Sequence, residues 1–188
     1  MDASLSRRIS RSPVCQGRWL ALSELKYRSH DGSERTWECA ERVSCAGAVA
    51  VIATLKPSGR LVIVRQYRPP LDAFAIEFPA GLIDRNEKPE DTAIRELKEE
   101  TGYIGRLARM LPVGYNSPGL TPEGVHVAIV EIDEAAQGPL ETKFDESESI
   151  ETLLVSAKEL PAFIEARHAA GDKIDAKVLA FSVALEFR

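Results

Sequence analysis

The sequence predicts an α+β protein, an α/β/α sandwich on a mixed sheet, with a small antiparallel β-sheet ahead of it. Strand-like runs interleave with helical ones, and hairpin turns join several of the strands, which argues for a mixed sheet flanked by helices. The stretch Pro89 to Gly102 carries a helical stripe, Ala93, Ile94 and Leu97, and ends at a glycine. Ahead of both, Arg18 to Ser44 holds two strand-like runs around His30-Asp31-Gly32, and Asp-Gly is a hairpin signal.

Taken in order, residues 1 to about 17 read as a flexible start. The first run of the small sheet holds Trp19, Leu20, Leu22, Leu25 and Tyr27, and the second holds Thr36, Trp37, Cys39 and Val43. The chain then divides at 44/45, with residues 45–188 as the main domain. Ala48 to Leu55 is a buried-strand pattern, followed by a turn at Lys56-Pro57-Ser58-Gly59 and a strand at Leu61 to Tyr67. Pro69 and Pro70 must end regular pairing. Phe74 to Phe78 is a short strand that delivers the chain to Gly81. After the helix come strands at Leu107 to Val113 and Val125 to Ile132, with the loop Gly114 to Leu120 between them. An acidic loop, Glu141 to Ser149, leads into a strand at Ile150 to Val155. Two helices, about Ala157 to Ala169 and Asp175 to Phe187, close the chain around Gly171.

The helix at Pro89 is the chemically informative element. Proline suits a first helical position, and Gly102 suits a left-handed stop. Glu96, Glu99 and Glu100 stand at i, i+3 and i+4, so their carboxylates share one face. Such like-charge pairs cost a helix about 0.2–0.5 kcal/mol each, and the dipole at a helix C-terminus disfavours them further. Arg95 offsets part of this through an i,i+4 pair with Glu99. A hard divalent cation would remove the repulsion, as Mg²⁺ does beside substrate phosphates. Three glutamates alone would equally describe a solvated acidic face.

The surrounding spacing decides between the two. Gly81, Glu87 and the run Arg95-Glu96-Leu97-Lys98-Glu99-Glu100-Thr101-Gly102-Tyr103 resemble the signature of the Nudix hydrolases at every fixed position. Tyr103 stands where that family usually has an aliphatic residue, and Lys88 replaces a better helix cap. The resemblance implies a Nudix fold whose loop–helix–loop holds Mg²⁺, with Mn²⁺ possible, and hydrolyses a nucleoside diphosphate linked to another group. It assigns metal binding to Glu96, Glu99, Glu100 and the backbone carbonyl of Ala80. Glu96, Glu100 and Arg95 enter the catalytic set, with Arg95 and Glu87 bracing the loop.

Further segments resemble the ADP-ribose pyrophosphatase branch: Arg65 to Asp84, Gly17-Arg18-Trp19, Arg35-Thr36-Trp37-Glu38, and Pro118 at that branch's spacing beyond the box. This implies cleavage of ADP-ribose to AMP and ribose 5-phosphate by a domain-swapped homodimer. Trp19 and Trp37 would sandwich the adenine, one of them from the partner subunit. Arg42, Arg68 and Ser117 are the other substrate positions implied. The tryptophans and Arg68 have plainer rivals, as sheet core and as a surface ion pair, and strand alternation puts Arg42 on the face opposite Trp37. The acidic loop resembles the segment that carries the general base and points to Glu148, with Glu146 and Glu151 as competitors. A GDP-mannose hydrolase and a non-catalytic ligand-sensing module are the alternative readings.

Composition narrows the class. The chain is 44% hydrophobic and 28% charged with net charge −5, which offers no basic footprint for nucleic acid. The longest apolar run, Ala46 to Ala53, is too short to span a bilayer. Cys15, Cys39 and Cys45 form no CxxC pair, so the expected setting is a reducing cytoplasm. The Arg- and Ser-rich start also admits a mitochondrial transit leader.

Overall fold

In a computed structural model, the structure describes residues 6–144 and 149–187. The small sheet has three antiparallel strands: β1 (Arg7–Gln16), β2 (Leu20–Arg28) and β3 (Glu34–Arg42), in that order across the sheet. Strand β1 corrects the expectation of a flexible start. Its sequence has no apolar alternation and contains Pro13, yet it pairs with β2 from Arg7↔Arg28 to Gln16↔Ala21. It is an edge strand, where proline is tolerated, and the register shifts between Pro13 and Cys15. Pairing therefore makes this strand where local pattern does not.

The main sheet takes β4 (Ala48–Lys56), β5 (Arg60–Arg68), β6 (Ala73–Glu77), β7 (Ala80–Leu82), β8 (Arg106–Met110), β9 (Gly114–Tyr115), β10 (Gly124–Asp133), β11 (Ile150–Ser156) and β12 (Lys173–Ile174). Three α-helices complete the described chain: α1 (Pro89–Thr101), α2 (Leu160–Ala169) and α3 (Ala176–Glu186). The sheet order is β12-β6-β5-β4-β10-β8, with β11 on β5, β7 on β4 and β9 on β10. Strands β4 and β10 run parallel, as do β6 and β12, while the other pairs are antiparallel. The mixed sheet expected from sequence is therefore present. Three short strands, β7, β9 and β12, fall where no strand was expected, because two or three residues carry no period to read.

Alternation along the strands divides the interior into two cores. Val49, Val51, Ala53 and Leu55 of β4 join Ala128, Val130 and Ile132 of β10 under Ala93 and Leu97 of α1. Leu61 and Ile63 of β5 and Ile76 of β6 face the other way, toward Leu160 and Ile164 of α2 and Val178 of α3. Helix α1 thus covers one face and α2 with α3 the other, the α/β/α layering. Tyr103 is buried in the α1 core, so the aromatic ring serves the packing role that an aliphatic residue would.

Helix α1 starts without a side-chain cap, because Lys88 offers no acceptor. Glu90 and Asp91 in its first turn meet the positive end of the dipole instead. It stops at Gly102, whose φ of 75° is left-handed. A Cβ there would also stand 2.8 Å from the amide nitrogen of Glu141, so the glycine admits a neighbouring segment as well as a turn. The amide of Lys143 donates to the carbonyl of Glu99 at 2.8 Å, which ties the same segment to the end of the helix.

Candidate active site

The site forms where β7 crosses the C-terminal half of α1. Because i, i+3 and i+4 positions share a helix face, Glu96, Glu99 and Glu100 leave α1 together. Glu100 is buried, and its Oε2 accepts the amide of Ala80 at 3.1 Å. Glu96 lies against the next residue, where a Cβ built on Gly81 would stand 1.9 Å from the Glu96 carboxyl carbon. The Ala80-Gly81 backbone is thereby seated on two carboxylates, Glu100 at the Ala80 amide and Glu96 beside Gly81.

Arg95 holds the constellation. Its Nη1 donates to Glu96 at 2.8 Å and to Glu99 at 3.0 Å. Its Nε and Nη2 reach the two oxygens of Glu87 at 2.9 and 2.8 Å, a bidentate fork. Nη2 also approaches the carbonyl of Leu82 at 3.4 Å. Hydrogen bonds from Arg95 are the main reason that the Glu87 carboxyl falls to a pKa of about 2. The same bonds to Glu87 raise Arg95 further above its ordinary value. Helix and preceding loop are thus clamped through one guanidinium shared by three carboxylates.

The residue types suit a hard divalent cation: carboxylate oxygens from three glutamates on one helix face, beside the Ala80-Gly81 backbone. Among the described residues no group of three or more acidic, histidine or cysteine side chains has a ready metal-holding geometry. Arg95 stands between Glu96 and Glu99, and Glu100 turns to the Ala80 amide. The residue types fit a metal.

The remaining expected residues are more dispersed. Arg68 pairs with Glu77 at 2.7 Å, the ion pair weighed as its plainer reading. Arg42 pairs with Glu123 at 2.6 Å. The β2–β3 register runs unbroken from Leu20↔Arg42 to Arg28↔Glu34, so Arg42 and Trp37 face opposite sides. The carbonyl of Ser117 accepts the amides of Leu120 and Thr121, each at 2.9 Å, making a tight turn. Trp19 and Trp37 remain 67% and 51% exposed, so neither is sheet core. They are also far apart. Trp37 is opposite Leu25, while the carbonyl of Trp19 accepts the amide of Val43, six positions beyond Trp37. At ~3.3 Å per residue that is about 20 Å. Glu148 and its competitor Glu146 lie outside the described residues, and Glu151 approaches Arg65 at 3.5 Å.

Two features escaped sequence reasoning. Arg65 Nε donates to both oxygens of buried Asp172, at 3.1 and 3.2 Å, and stacks 3.8 Å above the Phe74 ring. Arg167 meets the same carboxylate, so the end of α2 is bolted to β5 and β6. Trp37 Nε1 donates to the carbonyl of Gly119 at 2.8 Å. No local signal marks either pairing. Among the described residues no helix is long and apolar enough to cross a membrane.

Known proteins resemble this chain in sequence and in fold. The model of the NUDIX domain matches residues 46–179. A mouse protein named ADP-sugar pyrophosphatase is 34% identical over 183 residues, covering 92% of this chain and 84% of its own. The ADP-ribose pyrophosphatase of Saccharomyces cerevisiae is 34% identical over 185 residues, covering 92% of this chain and 78% of its own. A solved structure described as an ADP compounds hydrolase superposes with a TM-score of 0.62 at 20% identity, over 85% of this chain and 83% of that one, a likeness of fold. With a glutamate helix clamped by Arg95 and a domain match from residue 46 to 179, the chain belongs to the Nudix family.

Proposed function

We propose that this protein hydrolyses the diphosphate bond of ADP-ribose, giving AMP and ribose 5-phosphate, with Mg²⁺ as the metal. The observation that carries this reading is the meeting of Glu96 and Glu100 with the Ala80-Gly81 backbone, with Glu96 also held by Arg95. The relatives' names point to an ADP-linked sugar as the substrate class. A divalent cation bound to these oxygens would acidify a water and neutralise charge on the displaced phosphate. Arg95 fixes Glu96 and Glu99, Ala80 orients Glu100, and Arg68, Arg42 and Ser117 contact the substrate. Glu148 is our choice for the general base that takes the proton of the attacking water.

Residues 1–44 serve dimerisation and base binding, and residues 45–188 the chemistry. A single chain keeps its tryptophans about 20 Å apart, too far to sandwich one base. A swapped homodimer, in which Trp19 of the partner subunit meets Trp37, supplies both faces. Strand β1 supports this, for it is exposed along its length and presents Ile9 and Val14. Cys15, Cys39 and Cys45 are all free thiols, which suits the cytoplasm.

The test is turnover of ADP-ribose beside GDP-mannose, with Mg²⁺ and then with chelator. Metal-dependent release of AMP supports the reading. Preference for GDP-mannose would move the substrate, and absence of turnover on either would favour a ligand-sensing module.

A further inference from the structure

The indole of Trp37 is held by a turn more than eighty residues away in sequence, and the bond joins the small sheet to the loop between β9 and β10. Three contacts fasten β3 to that turn and the residues after it. Trp37 Nε1 donates to the carbonyl of Gly119 at 2.8 Å. The amide of Ala40 donates to the carbonyl of Leu120 at 2.9 Å. Arg42 pairs with Glu123 at 2.6 Å. The turn itself is a β-turn, closed by the amide of Leu120 on the carbonyl of Ser117 at 2.9 Å. Pro118 occupies its second position, where a fixed φ near −65° preorganises the turn. Pro118 is exposed, so it fills no core. A Cβ on Gly119 would meet nothing within 4 Å, so that residue answers no steric need either. What this turn presents to the site is a carbonyl in a fixed place.

We propose that the Ser117–Leu120 turn is a positioning element for base recognition: Pro118 fixes the carbonyl of Gly119, and that carbonyl fixes the ring plane of Trp37. This rests on the reading of Trp37 as a stacking platform. An exposed indole with no anchor would lose rotamer freedom on binding each substrate. An indole already held by its N–H, with the Tyr27 ring packed against it at 6.5 Å in a T-shaped arrangement, bears less of that cost. Pro118 and Gly119 are positioning residues acting through Trp37, with no contact to the reacting atoms.

The experiment has one readout without substrate and one with it. The chain holds two tryptophans, so Trp19→Phe leaves Trp37 as the single indole fluorophore. In that background, Pro118→Gly should raise acrylamide quenching of Trp37 and lower its anisotropy. In the otherwise native chain, Pro118→Gly and Trp37→Phe should each raise KM for ADP-ribose roughly 2- to 12-fold, the worth of one net hydrogen bond, with kcat nearly unchanged. Unaltered quenching and KM in Pro118→Gly, alongside a raised KM in Trp37→Ala, would overturn the clamp and leave base stacking standing. An unchanged KM in Trp37→Ala would remove the stacking reading itself, and the clamp's role in recognition with it.

Discussion

Glu96 occupies the space that a side chain on Gly81 would need: a Cβ at Gly81 would lie 1.9 Å from the Glu96 carboxyl carbon and 2.0 Å from its Oε1. The first residue of the Nudix box is therefore glycine because of a carboxylate, since its backbone is not left-handed. Gly81→Ala should fold, as the clash is with the far end of a flexible side chain. Glu96 must swing away, and misplacement of about 1 Å costs on the order of 100-fold in rate. Thermal melting near that of the parent with kcat down about 100-fold is the expected result. Full activity would show that Glu96 does not need this seat.

Glu100→Gln keeps the shape and an acceptor for the Ala80 amide while removing one charge. Folding should survive. Turnover should fall at least about 100-fold at saturating Mg²⁺, since even the partners behind metal ligands are worth about 10–100-fold. Near-normal kcat would remove Glu100 from the metal set.

The Glu87–Arg95 fork should appear in the pH dependence of stability. The folded pKa of Glu87, about 2, lies below its ordinary 4.5. The folded state therefore binds this proton less readily than the unfolded chain does. The stabilisation is complete above about 4.5 and is lost as pH falls through that value toward 2. Urea midpoints of the parent and Glu87→Gln should differ most at neutral pH and converge as the solution is acidified. A gap independent of pH would mean that the fork contributes nothing through charge.

Trp37→Ala should raise KM for ADP-ribose roughly 5- to 150-fold, matching ~1–3 kcal/mol per stacked base, and lower kcat less. Deleting residues 1–44 should yield a monomer or an aggregate that binds nucleotide poorly. Light scattering that finds the native chain a fully active monomer would overturn the swapped dimer.

Glu148→Gln is expected to lower kcat at least about 100-fold with KM little changed, within the ~10²–10⁴-fold range of general acid–base catalysis. Glu146→Gln should stay active. Equal, mild losses from both would place the base elsewhere.

Sequence by itself determined the parts of this protein that depend on near neighbours. A proline, an apolar stripe and a glycine located α1, because capping and helical period act within about four residues. The same spacing put Glu96, Glu99 and Glu100 on one face beside Arg95, and the order of strands and helices carried the layered fold. Tertiary structure decided everything that rests on register and long-range approach. Strand β1 exists because β2 offers a ladder, although Arg7 to Gln16 has no strand pattern of its own. Gly81 meets Glu96, Arg65 meets Asp172, and Trp37 meets Gly119 only after the sheets are assembled. The distance between Trp19 and Trp37 likewise follows from which residue of β2 pairs with which of β3. A one-residue slip in that register would turn Trp37 to the other face, and local sequence carries no term for that choice.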